Sequence, residues 1–210
     1  MRGEWTPASL RLIAITDSLH DGIDGLASRA RLAVSGGATM LQLRLMGETP
    51  RVLVDVARAL LTAAPSTPLI VSGRADVALA AGADGVYVGS DDLTAAVLRR
   101  AMPSGFVIGA SVGDETDVAR SSGADFVGIG PVFSSGTHDS GVSIGVARFA
   151  TLALMCGLPA VAIGGVSAAN VARVMAARAA GVAVISALFA SADPMRAARE
   201  MRDAQDASGS

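Results

Sequence analysis

Short apolar runs alternate with amphipathic segments along nearly the whole chain. The runs recur about every 20 to 25 residues, and several are apolar throughout, as in strands buried on both faces of a parallel sheet. The eight candidate strands span residues 10–17, 39–45, 68–73, 85–89, 106–112, 126–132, 159–165 and 181–188. Helical periodicity predicts helices at 25–37, 50–64 and 168–181, with Gly36, Gly37 and Gly181 at the expected helix ends.

One local pattern repeats at the start of several strands. In each case a glycine or another small residue is followed by an apolar run. The segments are GGATMLQLRL, AGADGVYVG, SGADFVGIG and AAGVAVIS. Such a repeat, found eight times in one α/β chain, predicts a single closed (β/α)8 TIM barrel over residues 1–210. An open doubly wound sheet is the alternative, but no linker or shift in composition divides the chain. The polar residues 203–210 are expected to form a flexible tail.

Composition excludes several classes of function. Hydrophobic residues make up 51% of the chain and the mean hydropathy is +0.49, yet no run approaches the roughly 18 apolar residues of a membrane helix. The first residues have no apolar core typical of a signal peptide. A single cysteine, Cys156, excludes an internal disulfide and fits a cytoplasmic protein. A net charge of −2 with 3% aromatic residues argues against nucleic-acid binding.

The residues that follow the predicted strands are mainly hydroxyls, glycines and acids. In a (β/α)8 barrel these strand ends form the functional face. They are Asp17, Gln42, Arg44, Ser72, Gly73, Arg74, Asp91, Asp92, Ser111, Gly164, Gly165, Ile185 and Ser186. They contain no nucleophile–base pair and no histidine–cysteine cluster. Glycine turns and helix starts offer amide donors to phosphate, so the ends of strands 7 and 8 predict a phosphate site, although a Gly-Gly pair is as often only a tight turn.

A polar segment follows the sixth predicted strand. Residues 134–141 carry no large apolar side chain, and they include the Ser135 and Thr137 hydroxyls and His138. A segment this hydrophilic is expected to form a mobile loop over the mouth of the barrel. Its hydroxyls add to the predicted phosphate site.

Three smaller patterns have competing interpretations. Gln42 and Arg44 lie two apart on a predicted strand and so point to the same side, which we take as the barrel interior or mouth. A buried arginine is rare unless it is paired or bound to a ligand, which favours a functional role. The Asp91–Asp92 pair is more often a helix N-cap than a metal site. His20 and His138 are not expected to form a metal pair.

Taken in order, the motifs resemble the thiamine phosphate synthase family. The resemblance rests on Gln42-Leu43-Arg44, RADVALAAGADGVYVGSDDL, IGASV, GADFVGIGPVF with its Ser-x-Thr loop, PAVAIGGV and GVAVISAL. It covers nearly the whole chain. The same superfamily contains thiazole tautomerases, which share the barrel but not the coupling reaction.

The resemblance implies an enzyme that joins hydroxymethylpyrimidine diphosphate to a thiazole phosphate and releases diphosphate. It implies Mg²⁺ on the diphosphate, with Asp92 as a ligand and Gly73 at the position of a second ligand. The implied substrate-binding positions are Gln42, Arg44, Met46, Ser72, Ser111, Ser135, Gly136, Thr137, His138, Gly165, Ile185 and Ser186, of which Arg44, Ser111 and His138 are the implied catalytic ones. The expected partners are small phosphorylated heterocycles. The sequence leaves open whether copies of the chain form a homo-oligomer.

The chain departs from the family pattern on the diphosphate side. The family has Glu-Lys after the Gln-Leu-Arg motif where this chain has Leu45-Met46, and an aspartate in place of Gly73. The lysine after the Ser/Thr-x-Thr loop is His138, which is a weaker cation near pH 7. Three functions stay open: an altered synthase, a tautomerase-like enzyme and a non-catalytic thiazole phosphate binder. Pro131 replaces a histidine of the tautomerase branch, which favours the synthase.

Overall fold

A closed parallel barrel forms the centre of the molecule. The computed structural model describes residues 5–134 and 143–207, and within them eight parallel strands pair in chain order, with β1 closing on β8. The strands are β1 Leu12–Ile15, β2 Met40–Leu43, β3 Leu69–Ser72, β4 Gly85–Val88, β5 Val107–Val112, β6 Phe126–Ile129, β7 Ala160–Ile163 and β8 Gly181–Val184. Each lies inside its predicted range, so the predicted TIM barrel is confirmed.

Helices surround the barrel and connect its strands. They are α1 Gly22–Ser35, α2 Pro50–Ala63, α3 Ala75–Ala81, α4 Ala95–Ala101, α5 Glu115–Arg120, α6 Gly145–Cys156, α7 Val171–Ala176, α8 Ser186–Phe189 and α9 Pro194–Asp206, with a 3-10 helix at Pro7–Leu10. The start of α2 shows why these segments become helices. The Thr49 side chain accepts a hydrogen bond from the Val52 amide, and Pro50 fits the first helical turn.

Alternate residues of each strand pack into two separate cores. Outward side chains such as Leu41, Val71 and Val182 pack under the helices. The inward side chains are Ile13, Ile15, Met40, Ile70, Val107, Phe126, Val161 and Ala183, with Tyr87, Ile163 and Ile185 partly buried against them. This alternation follows from the period of two in a strand. The interior is therefore filled with apolar side chains.

Two glycines make room for the aromatic side chains of the interior. A Cβ on Gly109 would lie 2.4 Å from the Phe126 ring, and one on Gly128 would lie 2.2 Å from the Tyr87 hydroxyl oxygen. Alanine would therefore not fit at either position. The glycines of β5 and β6 thus provide the space that Phe126 and Tyr87 occupy.

The ends of α7 and β8 differ from the sequence prediction. The helix predicted at 168–181 spans only Val171–Ala176, and the left-handed residue beyond it is Arg178, with φ 62°. Gly181 is not a helix cap. It is the first residue of β8, where a Cβ would lie 1.9 Å from the Leu10 carbonyl oxygen. The strand predicted at 181–188 ends at Val184. The prediction ran too far because the apolar run of the strand continues into α8.

The segment predicted as a flexible tail begins inside α9. Residues 203–206 are helical, and Gln205 is 1% exposed with its Nε2 donating to the Arg11 carbonyl at 2.7 Å. The prediction is therefore wrong for these four residues, and residues 208–210 lie outside the described part. Among the helices described, none has the length and apolar character needed to cross a membrane.

Candidate active site

Four polar side chains line the inner wall of the barrel at the ends of β2 to β5. They are Gln42, Ser72, Tyr87 and Ser111, and they point inward because each lies in the inward register of its strand. Gln42 is 2% exposed, and its Nε2 donates to Ser72 Oγ at 3.0 Å. The Gln42 Oε1 is buried without a partner in the described residues. An unsatisfied buried acceptor is costly, so this atom is suited to receive a ligand donor.

Tyr87 lies one inward position below Ser111, because it pairs with Gly109 of β5. Its hydroxyl donates to the Gly128 carbonyl at 3.4 Å. Burial raises the pKa of Tyr87 to about 12, although a hydrogen bond with Ser111 opposes the shift. The phenol is therefore neutral near pH 7 and supports Ser111 from below.

Arg44 lies just beyond β2 and is half-buried. Thr16 fixes its backbone, since the Arg44 amide donates to Thr16 Oγ1 at 2.9 Å and Thr16 Oγ1 donates to the Arg44 carbonyl at 3.1 Å. The Arg44 guanidinium has no ion pair or hydrogen bond with another described residue. By contrast, Arg74 donates to both oxygens of Asp76 at 2.8 and 2.5 Å. Arg44 is therefore the better candidate to bind an anionic ligand.

The sequence prediction for Gln42 and Arg44 is only half right. Gln42 is a strand residue that faces the interior, whereas β2 ends at Leu43 and leaves Arg44 in the following loop. The two side chains therefore do not share one side of the same strand. Met46 lies further along that loop and is 79% exposed.

Asp92 and Gly73 lie side by side at the ends of β4 and β3. Asp92 Oδ2 accepts a hydrogen bond from the Gly89 amide at 2.8 Å. A Cβ on Gly73, which has φ +67°, would lie 3.4 Å from both carboxylate oxygens of Asp92. The two positions implied for the metal are thus neighbours. The helix-cap interpretation of the Asp91–Asp92 pair is wrong, because the N-cap of α4 is Thr94.

The donor set at this point suits Mg²⁺ only in part. No group of three or more histidine, cysteine, aspartate or glutamate side chains that could hold a metal occurs in residues 5–134 and 143–207. Asp92 supplies one carboxylate, and Gly73 supplies no side chain. Mg²⁺ often keeps several waters and binds one or two carboxylates together with substrate phosphates. Asp92 could therefore anchor Mg²⁺ through a single carboxylate, with water and a bound phosphate group as the remaining ligands.

The Gly164–Gly165 turn packs against the chain that follows β6. The two glycines have φ +89° and +63°, a conformation that other residues rarely adopt. A Cβ on Gly165 would lie 2.6 Å from the Phe133 and Ser134 carbonyl oxygens. The Phe133 amide donates to the Gly164 carbonyl at 3.0 Å. Part of the room left by these glycines is thus filled by the protein's own backbone.

Asn170 holds this turn from the other side, and sequence reasoning missed it. Its Oδ1 accepts from the Ser167 amide at 2.9 Å, and its Nδ2 donates to the Gly165 carbonyl at 2.9 Å. The asparagine three residues after Ser167, at the start of a helix, was the available signal. Its contact fixes the orientation of the Gly165 peptide.

Ile185 and Ser186 mark the start of α8 rather than lying within β8. Ile185 is the N-cap, and Ser186 is the exposed first residue of the helix. The first amides of a helix have no acceptor within it and form a positive end. The mouth near β7 and β8 therefore offers amide donors.

The remaining predicted site residues lie outside the described part of the chain. They are Ser135, Gly136, Thr137 and His138. The prediction of a mobile loop at 134–141 also falls largely there. The described residues on both sides are anchored at the mouth, since the Ile144 amide donates to the Pro131 carbonyl at 2.8 Å and the Gly145 amide to the Val132 carbonyl at 3.1 Å.

The fold and its polar face place the chain among the (β/α)8 barrels with polar groups at the carboxyl ends of the strands. The sequence profile of the thiamine monophosphate synthase family matches residues 12–188, and the chain belongs to this family. Two thiamine-phosphate synthases are similar to it. One from Methanoculleus marisnigri is 46% identical, with 83% of this chain and 85% of the relative covered. One from Xanthobacter autotrophicus is 43% identical, with 94% and 96% covered.

One solved structure agrees with this assignment, and another shares the fold. Thiamine phosphate pyrophosphorylase from Pyrococcus furiosus superposes with a TM-score of 0.85 at 30% identity, and the match covers 96% of this chain and 98% of that one. A 3-hexulose-6-phosphate synthase, at 20% identity and a TM-score of 0.67 over 92% and 99% of the two chains, shares the fold.

Proposed function

We propose that the protein couples hydroxymethylpyrimidine diphosphate to a thiazole phosphate, giving thiamine phosphate and diphosphate. Membership of the thiamine monophosphate synthase family carries this proposal. Its relatives named thiamine-phosphate synthase match over most of both chains. The row of Gln42, Ser72 and Ser111 beside Asp92 supports it, because these groups can orient a polar heterocycle next to an anion.

The diphosphate half of the site is built around Arg44 and Asp92. In the coupling, the bond between the pyrimidine methylene carbon and the diphosphate oxygen breaks, and the electron pair leaves with the diphosphate. Mg²⁺ bound through Asp92 would supply positive charge for the leaving group. The Arg44 guanidinium, which has no ion pair or hydrogen bond with another described residue, would add a charge-assisted donor. Ser111, supported by neutral Tyr87, would contact the same group or the ring beside it.

The thiazole half of the site would hold the second phosphate. The Gly165 turn and the first amides of α8 offer backbone donors, and Ser135, Gly136 and Thr137 are the further positions implied by the family. Binding there would orient the thiazole nitrogen, whose lone pair forms the new bond to the methylene carbon. Holding both reactants in place supplies much of the catalysis in such a two-substrate reaction.

A thiazole phosphate binder without coupling activity, or a tautomerase-like enzyme, is the second candidate. The specific observation in its favour is the small number of charged groups on the diphosphate side beyond Arg44 and Asp92, since Gly73 adds no carboxylate next to Asp92 and Met46 is exposed at the mouth. The binder and the tautomerase-like enzyme would both use the thiazole half of the site.

A coupling assay distinguishes these functions. The protein is incubated with both substrates and Mg²⁺, and thiamine phosphate is measured by chromatography. We expect product that depends on Mg²⁺ and is lost in Asp92→Asn, while Arg58→Lys, on the outside of the barrel, keeps full activity. Tight thiazole phosphate binding without any product would contradict the coupling function and favour the second candidate.

A further inference from the structure

Arg29 connects three parts of the barrel mouth. It lies on α1, and its side chain is 13% exposed. Its Nε and Nη2 donate to the two oxygens of Asp21 at 2.9 and 2.8 Å. Its Nη1 donates to Asp17 Oδ1 at 2.7 Å and to the Phe189 carbonyl at 3.3 Å, and Nη2 also donates to the Ser18 carbonyl at 3.2 Å. The five N–H groups of the guanidinium thus have five acceptors.

One of these contacts holds α8, which is a single helical turn. A helix this short is not stable by itself, so its position depends on what it packs against. Leu188 and Phe189 are buried at 0% and 3% exposure. The Arg29 guanidinium lies 5.4 Å from the centre of the Phe189 ring and bonds the Phe189 carbonyl, at the negative end of the helix. Arg29 therefore fixes the end of α8 opposite its amide donors.

The same guanidinium pairs with two carboxylates near the mouth. Asp17 and Asp21 are 23% and 33% exposed, and both pair with Arg29. The hydrogen bond from Arg29 lowers the pKa of Asp21. Burial by itself would lower the pKa of Arg29, but its hydrogen bonds to Asp21 and Asp17 outweigh this and the pKa is raised. Without Arg29 the two carboxylates would add uncompensated negative charge on the side where a phosphate is proposed to bind.

We propose that Arg29 is a positioning residue for phosphate binding at the start of α8. It holds α8 against the loop after β1 and offsets part of the negative charge of Asp17 and Asp21, and it does not itself touch the ligand. This inference rests on the proposed function, since the ligand is the thiazole phosphate of that site. A residue 160 positions away in the sequence from Phe189 thereby sets the geometry of the site.

Arg29→Lys tests the role, because lysine keeps the charge but cannot reproduce the planar five-donor arrangement. The measurements are steady-state kinetics with each substrate varied and hydrogen exchange of the α8 amides in the ligand-free protein. We expect KM for thiazole phosphate to rise about tenfold, as for the loss of one or two charge-assisted bonds. KM for pyrimidine diphosphate and kcat should change less than about twofold. The Phe189 and Ala190 amides, which donate to Ile185 and Ser186 carbonyls, should exchange faster.

Arg58→Lys is the matched control, because Arg58 also joins two elements by bonding a distant carbonyl, that of Ala80 at 3.1 Å. It should change none of these quantities. If Arg29→Lys does not fold, Asp21→Asn, which weakens the hydrogen bonding of the same guanidinium, should speed the exchange of the Phe189 and Ala190 amides. Equal increases in both KM values, or unchanged α8 exchange, would overturn the inference. Failure of the unmodified protein to bind thiazole phosphate would overturn the proposed function, and this inference with it.

Discussion

Tyr87 is the one tyrosine of the chain, so the ultraviolet absorbance of tyrosinate reports on its buried phenol alone. Burial raises the pKa of this phenol from 10.0 to about 12. We therefore expect the ultraviolet absorbance of tyrosinate to appear near pH 12 in the folded protein and near pH 10 after unfolding in urea. A folded-state midpoint near pH 10 would contradict the burial of Tyr87 beneath Ser111.

The same shift predicts a loss of stability at high pH. Below pH 10 the phenol is neutral in both states, so its contribution is constant. Between pH 10 and 12 only the unfolded state ionises, so the free energy of unfolding falls as pH rises, by on the order of 3 kcal/mol. Urea unfolding at several pH values checks this. Tyr87→Phe should remove this part of the decline.

Gly73→Asp should create a second carboxylate beside Asp92. The φ of +67° is one that aspartate tolerates better than most residues, and the new Cβ would lie 3.4 Å from both Asp92 oxygens. Repulsion between the carboxylates should lower the melting temperature without Mg²⁺, and Mg²⁺ should restore it.

Gly73→Asn is the control for that change, because it has the same shape and no charge. It should show no comparable response to Mg²⁺. Thermal melts of both variants with and without Mg²⁺ and diphosphate provide the measurement. Identical responses in the two variants would remove Asp92 from the proposed metal site.

Sequence reasoning located residues whose position depends on a strand end, and it missed residues whose contacts lie far away in the sequence. Gln42, Ser72 and Ser111 were predicted because the end of a parallel strand fixes both their location and their side. Arg29 and Asn170 were missed, since nothing near Arg29 in the sequence indicates that its side chain reaches Phe189. The structure was also needed to show that Gly73 and Asp92 lie next to each other.

At the scale of elements, the start of β8 is set by a close contact. Gly181→Ala would bring a Cβ to 1.9 Å from the Leu10 carbonyl oxygen, which is backbone and cannot move aside cheaply. We expect the free energy of unfolding to fall by about 2 kcal/mol, within the range for overpacked sites. Urea denaturation measures it. Gly113→Ala, whose Cβ would meet only Asp117 Oδ2 at an ordinary 3.5 Å, should change stability much less.

The elements themselves were predictable, but their ends were not. All eight strands were found because each is a short apolar run between glycines and polar residues. Periodicity could not separate β8 from α8, since Val184, Ile185, Ala187 and Leu188 continue one apolar run. Gly181 resembles a helix cap in the sequence because the left-handed residue at a helix end is most often glycine, but in this chain that conformation falls on Arg178.

At the scale of the whole molecule, the mouth of the barrel is divided into two unequal halves. The side of β7 and β8 offers amide donors on a turn and on α8, which Asn170 and Arg29 hold in place. The side of β2 to β4 has Arg44 and Asp92, but Gly73 and exposed Met46 add no charge there. The closed barrel places both halves at one face, so the imbalance should appear as unequal affinity for the two substrates.

Calorimetric titration of each substrate alone tests this imbalance most directly. With Mg²⁺ present, we predict that thiazole phosphate binds more tightly than hydroxymethylpyrimidine diphosphate. We also predict that the double variant Met46→Lys/His138→Lys binds the diphosphate about two to four powers of ten more tightly than the unmodified protein, because each charge-assisted contact contributes roughly 1.5–3 kcal/mol. Thiazole phosphate affinity should stay the same in that variant. Tighter binding of the pyrimidine diphosphate by the unmodified protein, with no gain in the double variant, would contradict the account.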